Sequence, residues 1–309
     1  MEEYESPHAV HLNCKRKESE KMTQKNEAAL VLEGGGNRVV FTAGVLDYLM
    51  EQGVEFSYVA GVSAGACNAV DYVSKQPERT RKCTIPECKE HRYISMKNLI
   101  KNKTLFDMDM IFDKYPNEIF PFDYDSFFQS EIRCELVVTN CLTGQAEYME
   151  EKEDPKRLMD ICRASSSIPM LSPMVEIDGV PYLDGGTADS IPIVHAMKEG
   201  YRKNIVILTR NYGYRKEKPG KTKAIFAAAL KDYPNLLNAL LNRYRVYNRT
   251  LELIEKWEKE GHIFVIRPEI KPVSRAEKSK EALEAFYQHG YDLMKEKMND
   301  MMAYLDKED

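Results

Sequence analysis

Apolar positions along the chain follow two patterns, short continuous runs and runs at helical spacing. The continuous runs are typical of buried strands and cover residues 28–32, 56–60, 135–138, 174–177, 180–183, 205–209 and 262–266. Helical spacing covers residues 39–53, 64–75, 155–166, 191–199, 222–232, 235–258 and 276–305. Because strands alternate with helices, the pattern predicts an α/β fold with a parallel or mixed sheet and helices on both faces.

The polar segments divide the chain. Residues 1–26 are charged and without period, which predicts a flexible tail followed by a single folded domain over residues 27–309. Residues 76–100 are polar and contain two prolines, so we expect a surface excursion there. The Lys-, Gly- and Pro-rich residues 212–222 predict the passage into a helical C-terminal section from about residue 220.

Composition narrows the functional classes. The 309 residues are 43% hydrophobic and 30% charged, which is typical of a globular protein, and the formal charge of −5 argues against a nucleic-acid partner. No apolar run approaches the ~18 residues of a membrane-spanning helix. Seven scattered cysteines and an opening Met1-Glu2-Glu3-Tyr4 without secretory character favour the cytoplasm, with at most peripheral membrane contact.

Two glycine-rich turns follow the first two predicted strands. Gly34-Gly35-Gly36 comes directly after the first strand and its glutamate, and Gly61-Val62-Ser63-Ala64-Gly65 follows the second. A right-handed parallel crossover places both strand ends at one edge of the sheet, where open α/β sheets bind ligands. We therefore expect the two turns to face one pocket.

The second turn has the Gly-x-Ser-x-Gly pattern of a nucleophilic serine. Gly61, Ala64 and Gly65 are small enough for a strained strand-to-helix turn that exposes the Ser63 hydroxyl at a helix N-terminus. The backbone N–H of Ala64 would then be one donor to an oxyanion. The alternative is a glycine-rich helix entry in which Ser63 only caps the helix.

The glycine loop has three interpretations. A phosphate loop needs Gly-Lys-Ser/Thr where the chain has Asn37-Arg38-Val39, and a dinucleotide loop needs a glycine at the position of Val39. Donation of backbone N–H groups to an oxyanion is the interpretation that also uses the serine turn. We expect Asn37 and Arg38 to support the loop, and for Arg38 a solvated surface charge is the alternative.

None of the six histidines is placed at the end of a predicted strand, where a base for Ser63 would lie. They occur at positions 8, 11, 91, 195, 262 and 289. Cys83, Cys88 and His91 form at most half of a metal site, and no second pair completes it, so we predict a solvated loop without metal.

Asp184 is better placed, because Asp184-Gly185-Gly186 ends the apolar run 180–183. A carboxylate is a weak base for an alcohol, so this role requires that Asp184 be buried beside Ser63 and hydrogen-bonded to its hydroxyl. The alternative is an ordinary turn, as expected for Asp178-Gly179 between the two preceding apolar runs.

With these motifs the chain resembles the patatin-like phospholipases, most closely their bacterial branch. The motifs that carry the resemblance are Glu33-Gly34-Gly35-Gly36-Asn37-Arg38, Phe41-Thr42-Ala43-Gly44-Val45-Leu46-Asp47, residues 61–68, residues 163–169 and Tyr182-Leu183-Asp184-Gly185-Gly186. The resemblance implies a three-layer α/β/α fold with a mostly parallel sheet and a Ser63–Asp184 dyad without histidine. It also implies an oxyanion hole from Gly34, Gly35 and Gly36, and hydrolysis of lipid acyl esters through an acyl-enzyme, without a cofactor. Val39 departs from the family pattern, which has glycine there.

Substrate contacts are less determined by the sequence. The apolar residues 105–108 and 168–171 could form an acyl-binding wall or be plain core. A basic cluster could contact anionic headgroups, although we favour a solvated loop; it comprises Arg210, Arg215, Lys216, Lys218, Lys221 and Lys223 with Tyr212 and Tyr214. An acyltransferase or thioesterase with the same dyad, or a non-catalytic lipid-binding protein, are the alternative functions. The sequence does not indicate an oligomeric state.

Overall fold

A computed structural model describes residues 24–94, 106–220 and 222–307. Its strands are β1 Gln24–Leu32, β2 Val54–Val62, β3 Arg133–Asn140, β4 Ala146–Met149, β5 Val175–Ile177, β6 Val180–Asp184, β7 Lys203–Ile207 and β8 Phe264–Ile266. They form one sheet of eight strands in the order β5-β6-β3-β2-β1-β7-β8, with β4 also paired to β3. Strands β3, β2, β1, β7 and β8 are parallel to their neighbours in this order. Strands β4, β5 and β6 form antiparallel pairs at one side of the sheet.

Helices cover both faces of this sheet. The described helices are α1 Val40–Glu51, α2 Ala64–Val73, α3 Arg79–Thr84, α4 Tyr124–Gln129, α5 Pro155–Ser166, α6 Ile193–Lys198, α7 Thr222–Ala229, α8 Pro234–Lys259 and α9 Lys280–Leu305. A π-helix, Met110–Ile119, precedes α4. In the part of the chain that the structure describes, no helix has the length and apolar character needed to cross a bilayer. The predicted α/β fold with helices on both faces is confirmed.

The central strands are buried on both faces, which explains their continuous apolar sequence. Along β1, Leu30 and Leu32 pack in a core with α1, α2, α5 and α9. Ala29 and Val31 point the other way and pack with residues of α6 and α8. The sheet therefore separates two cores, and the C-terminal helices α8 and α9 contribute to opposite ones.

The strand register brings the two glycine-rich turns together. Leu32 at the end of β1 pairs with Gly61 near the end of β2, and the strands are parallel. The glycine loop and the serine turn therefore leave the sheet at the same level, as the sequence predicted.

Asp184 reaches this level by a different route. β4 pairs with β3 along residues 136–139, so β2 and β6 share the opposite edge of β3. On that edge Val62 pairs with Val137 and Asp184 pairs with Val138. Since β6 runs antiparallel to β3, the carboxyl ends of β2 and β6 meet head to head, with Ser63 directly beyond β2.

The C-terminal helix α9 is held against α1 by a close backbone contact. An ideal Cβ on Gly290 would lie 2.1 Å from the carbonyl oxygen of Phe41, and one on Gly44 would lie 2.1 Å from that of Tyr287. The Tyr287 hydroxyl also donates a hydrogen bond of 2.8 Å to Asp47. Two glycines facing each other thus let the helices approach more closely than side chains allow.

Three expectations need correction. The surface excursion expected over residues 76–100 is wrong for residues 76–94, because they contain α3, whose Thr80 is buried, and residues 95–100 lie outside the described residues. Strand β4 was missed, since Ala146–Met149 is half-buried and lacks a clear apolar run. The first strand begins at Gln24, upstream of the expected domain start at residue 27. The rest of the predicted tail, residues 1–23, lies outside the described residues, and the single-domain division stays a prediction.

Candidate active site

Ser63 and Asp184 are in contact at the edge of the sheet. The Ser63 hydroxyl donates a hydrogen bond of 2.8 Å to Oδ2 of Asp184, and both side chains are buried. Ser63 has φ 56° and ψ −131°, a conformation that L-residues rarely adopt and that costs on the order of 1–3 kcal/mol. This strained turn presents the hydroxyl to Asp184 immediately before α2 begins. The described environment is therefore that required for a carboxylate base.

A second serine fixes the turn. The Ser63 backbone N–H donates to Oγ of Ser165 at 2.8 Å, and the Ser165 hydroxyl donates to the Val137 carbonyl at 2.6 Å. On the other side, Oδ1 of Asp184 accepts from the Gly186 N–H at 2.8 Å, so both carboxylate oxygens are oriented. Ser165 lies within the family motif at residues 163–169, but motif matching alone did not assign it this role.

The glycine loop passes over Ser63 with no space for side chains. An ideal Cβ on Gly34 would lie 2.6 Å from the Val62 carbonyl oxygen and 2.7 Å from the Ser63 Cβ. Among the described residues, no hydrogen-bond acceptor takes the backbone N–H of Gly34 or Gly35. These N–H groups remain available to a ligand beside Ser63.

The far side of the loop is tied to the segment that precedes α9. Gly36 has φ 56°, and an ideal Cβ there would lie 2.6 Å from the Arg275 carbonyl oxygen. Asn37 donates its backbone N–H to that same oxygen at 2.9 Å and its side-chain N–H to the Glu277 carbonyl at 2.8 Å. These hydrogen bonds join the glycine loop to the segment before α9. Val39, in place of the family glycine, has φ −69° and ψ −3°, which any residue adopts.

Glu33 anchors the beginning of the loop. Its carboxylate accepts hydrogen bonds from the Thr209 backbone N–H and from the Tyr247 hydroxyl, both at 2.7 Å. Arg38 lies nearby and is 3% exposed, so the alternative of a solvated surface charge is wrong. Burial, together with Arg210 and Arg275, lowers the pKa of the Arg38 guanidinium to about 10. Its Nε has no hydrogen-bond partner within the described structure.

An apolar cavity opens on one side of Ser63. Its wall combines residues from α2, α3, the π-helix and α5; they include Val39, Val70, Phe106, Met108, Ile111, Phe112, Tyr115, Met159 and Ile168. Of the apolar runs named from the sequence, Phe106, Met108 and Ile168 line it. Met170 and Leu171 are instead exposed at the surface, and residue 105 lies outside the described residues.

The described histidines lie away from Ser63. Nε2 of His195 contacts Oε2 of Glu135 at 2.7 Å, and its ring stacks on that of Tyr148. His289 accepts a hydrogen bond from the Glu269 N–H. No described histidine lines either cavity that Ser63 shares, whereas positions 8 and 11 are outside the described residues. Cys83 lies in the apolar cavity, so it does not belong to a solvated loop.

Part of the basic cluster differs from the solvated loop that we favoured, whereas Tyr212, Lys218 and Lys223 are exposed as expected and Lys221 lies outside the described residues. Arg210 and Lys216 line a second cavity beside Ser63, with Arg243 and Arg275. Arg215 instead forms an ion pair of 2.7 Å with Glu255 on α8. The sequence contained no signal for Arg243 or Arg275, which lie far from the motifs and join the site through the packing of the C-terminal section.

Comparisons with known proteins relate the sequence to one family. A sequence model of the patatin-like phospholipase family matches residues 30–197, more than half of the chain. A second one, described as a domain of unknown function (DUF6363), matches residues 233–306. The uncharacterized protein YjjU of Escherichia coli strain K12 is 32% identical over 193 residues, which are 60% of this chain and 53% of YjjU. The matched region thus spans about half the length of that relative.

A solved structure is similar at a greater distance. VipD from Legionella pneumophila matches 91% of this chain and 67% of its own, with 15% sequence identity and a TM-score of 0.47. The family model covers both glycine-rich turns and Asp184, the residues that the register of the sheet brings together. The chain belongs to the patatin-like phospholipase family.

Proposed function

We propose that this protein hydrolyses acyl esters of lipids, with Ser63 as nucleophile and Asp184 as general base. The observation that carries the proposal is the buried hydrogen bond of 2.8 Å between the Ser63 hydroxyl and Asp184 Oδ2. Family membership supports the lipid-hydrolysing class, and the paired side chains support the dyad.

The reaction consists of two half-reactions. Asp184 accepts the Ser63 proton as Oγ attacks the ester carbonyl, and the proton then passes to the leaving alkoxide when the C–O bond breaks. Water attacks the resulting acyl-serine, Asp184 takes a proton from that water, and the fatty acid leaves as Ser63 Oγ regains a proton. In both steps the developing oxyanion accepts hydrogen bonds from the N–H groups of the glycine loop and of Ala64.

The apolar cavity supplies the acyl site. Ser63 lines it, and apolar side chains of the π-helix and α5 form part of its wall. An acyl chain bound there would place its ester carbon near Ser63 and would leave the alcohol portion on the opposite side. Transfer of hydrocarbon from water into such a cavity contributes about 0.8 kcal/mol per buried CH₂.

Contact with a lipid surface belongs to the same proposal. Ile168 lines both cavities, and Met170 and Leu171, two and three residues after it, are 41% and 37% exposed. Exposed apolar side chains this close in sequence to a cavity-lining residue favour peripheral contact with the lipid that supplies the substrate. The cytoplasmic location expected from cysteine usage stays a prediction.

The dyad is tested with a chromogenic ester that has no lipid headgroup, such as p-nitrophenyl octanoate. We expect Ser63→Ala and Asp184→Asn each to lower kcat/KM by about 10³-fold or more, because nucleophile and base act as one unit. Asp178→Asn is the matched control, since this carboxylate is exposed in the β5–β6 turn and pairs with Arg157. Full activity in Asp184→Asn protein would exclude the dyad.

A further inference from the structure

A second cavity shares Ser63 with the apolar one, and we call it the cationic chamber. Ser63, Gly36 and Ile168 line both cavities. The chamber wall carries five cationic side chains, Arg38, Arg210, Lys216, Arg243 and Arg275. Its carboxylates are only Glu33 and Asp184, as far as the described residues go. Positive charge is thus concentrated directly beside the serine.

The two carboxylates offset only part of the positive charge of these five cations. Glu33 is occupied by the Tyr247 hydroxyl and by Thr209, and Asp184 by Ser63 and Gly186. Within the described ranges, no carboxylate oxygen lies within 4.0 Å of a side-chain nitrogen of these five cations, so none of them forms an ion pair. Five cations and two carboxylates in one partly buried cavity leave a net positive charge, so an anionic ligand would relieve the repulsion.

Two of the chamber cations, Arg243 and Lys216, have few partners among the described residues. The Arg243 guanidinium faces the backbone beside Asp184, because its Nη2 would lie 3.0 Å from an ideal Cβ on Gly186. Its Nε is buried and without a hydrogen-bond partner in the described structure. The Lys216 ammonium lies 3.5 Å from the Tyr247 ring centroid and 3.2 Å from the Ser190 hydroxyl. Both groups thus have donors left for a ligand.

The pKa shifts of Lys216 and Arg243 agree with an incomplete counter-charge in the chamber. Burial, followed by the charge of Arg243, lowers the pKa of the Lys216 ammonium well below its usual range. Burial likewise lowers the pKa of the Arg243 guanidinium, and Asp184 offsets only part of that effect. Arg275 is exposed, so one wall of the chamber is open to solvent and to an incoming ligand.

We propose that the cationic chamber binds the phosphate of an acylated glycerol phosphomonoester, while its acyl chain occupies the apolar cavity and its ester carbonyl lies at Ser63. A dianionic phosphate matches the excess of cations, and guanidinium groups bind phosphate oxygens with paired hydrogen bonds. A zwitterionic choline headgroup would bring a further cation against the same wall. This inference rests on the proposed function and assigns the substrate class.

The chamber also gives the C-terminal section a role at the site. Arg243 lies on α8 and Arg275 in the segment before α9, both within the region matched by the domain of unknown function. The patatin-like region, residues 30–197, contributes Arg38 and the dyad. The headgroup side of the site is therefore completed by residues outside the patatin-like match.

The first test measures a ratio of rates in the full-length protein. We compare kcat/KM for 1-oleoylglycerol 3-phosphate with that for 1-oleoylglycerol, which has the same ester without phosphate. The wild-type protein should favour the phosphate ester by at least about 10-fold, and Arg243→Gln and Lys216→Met should each lower this ratio by about 10- to 100-fold. A wild-type ratio near one, or a ratio that survives both substitutions, would overturn the proposal.

Two controls accompany this ratio. Arg245→Gln removes an exposed arginine of the same helix, which contacts Tyr244 and Asn242, and should leave the ratio unchanged. Because Arg243→Gln and Lys216→Met remove uncompensated positive charge, neither should lower the midpoint of thermal unfolding. A loss of the ratio in Arg245→Gln protein would place the selectivity outside the chamber.

The second test separates the chamber from catalysis and uses calorimetric titration of Ser63→Ala protein. It should bind 1-oleoylglycerol 3-phosphate at least about 10-fold more tightly than 1-oleoylglycerol, and Arg243→Gln in that background should abolish the difference. This result would support the chamber even if hydrolysis of every ester were absent, in which case only the proposed function fails. Inorganic phosphate binding as tightly as the lipid would instead identify a free-phosphate site and overturn the assignment to a headgroup.

Discussion

A few close contacts fix the geometry around Ser63. Its hydroxyl has one oriented acceptor in Asp184, its backbone N–H is held by Ser165, and Gly34 crosses directly above its Cβ. The strain of the turn is maintained because each neighbour is itself fixed by backbone contacts. At this scale the site depends on positions that tolerate no additional atom.

Gly34→Ala tests this dependence. The new methyl group would meet the Val62 carbonyl oxygen at 2.6 Å, so the glycine loop must move away from Ser63. Loss of one oxyanion donor typically costs ~10²–10³ in rate, and we expect a decrease of that size in kcat for p-nitrophenyl octanoate. Gly220→Ala is the control, because nothing lies within 4 Å of its Cβ position, and unaltered kcat in both variants would contradict this role for the loop.

At the scale of elements, an antiparallel strand completes the site. β6 meets the end of β2 along one edge of β3, which places Asp184 level with Ser63. The loop before α9 then covers the glycine loop through the Arg275 and Glu277 carbonyls. The position of α9 against α1 therefore affects both the stability of the fold and the cover of the site.

Gly290→Ala should weaken the α1–α9 contact. An alanine inside a helix is normally favoured over glycine by ~1 kcal/mol, but its Cβ would lie 2.1 Å from the Phe41 carbonyl oxygen. Overpacking of this kind costs ~1–3 kcal/mol, so we expect a lower free energy of unfolding in urea titrations. Asn299→Ala, at an exposed position of α9, should change it by less than ~0.5 kcal/mol, and a Gly290→Ala protein as stable as wild type would exclude the close contact.

At the scale of the whole molecule, two cavities of opposite character meet at one serine. The apolar cavity is built largely by the patatin-like region, and the cationic chamber needs residues from the C-terminal section. The sequence predicted every described strand except β4, the main helices and the adjacency of the glycine-rich turns, because apolar periodicity and glycine positions are local signals.

Other features depend on contacts between distant segments. The antiparallel direction of β6 follows from its pairing with β3, which the short run 180–183 does not encode. Lys216 looked solvated in a basic loop, yet α8 packs over it and places Arg243 beside it. Helix α3 lies in a polar segment. Its Thr80 and Arg79 contact the buried Asp71 rather than solvent.

The central claim is that Ser63 is a nucleophile activated by Asp184, and active-site labelling of the full chain tests it most directly. A fluorophosphonate probe, followed by peptide mass spectrometry, should modify Ser63 with a 1:1 stoichiometry, because only an activated serine attacks phosphorus rapidly. Asp184→Asn should slow this labelling at least about 100-fold, while Asp178→Asn should label at the wild-type rate. Labelling of a different serine, or equal rates in Asp184→Asn and wild-type protein, would contradict the claim.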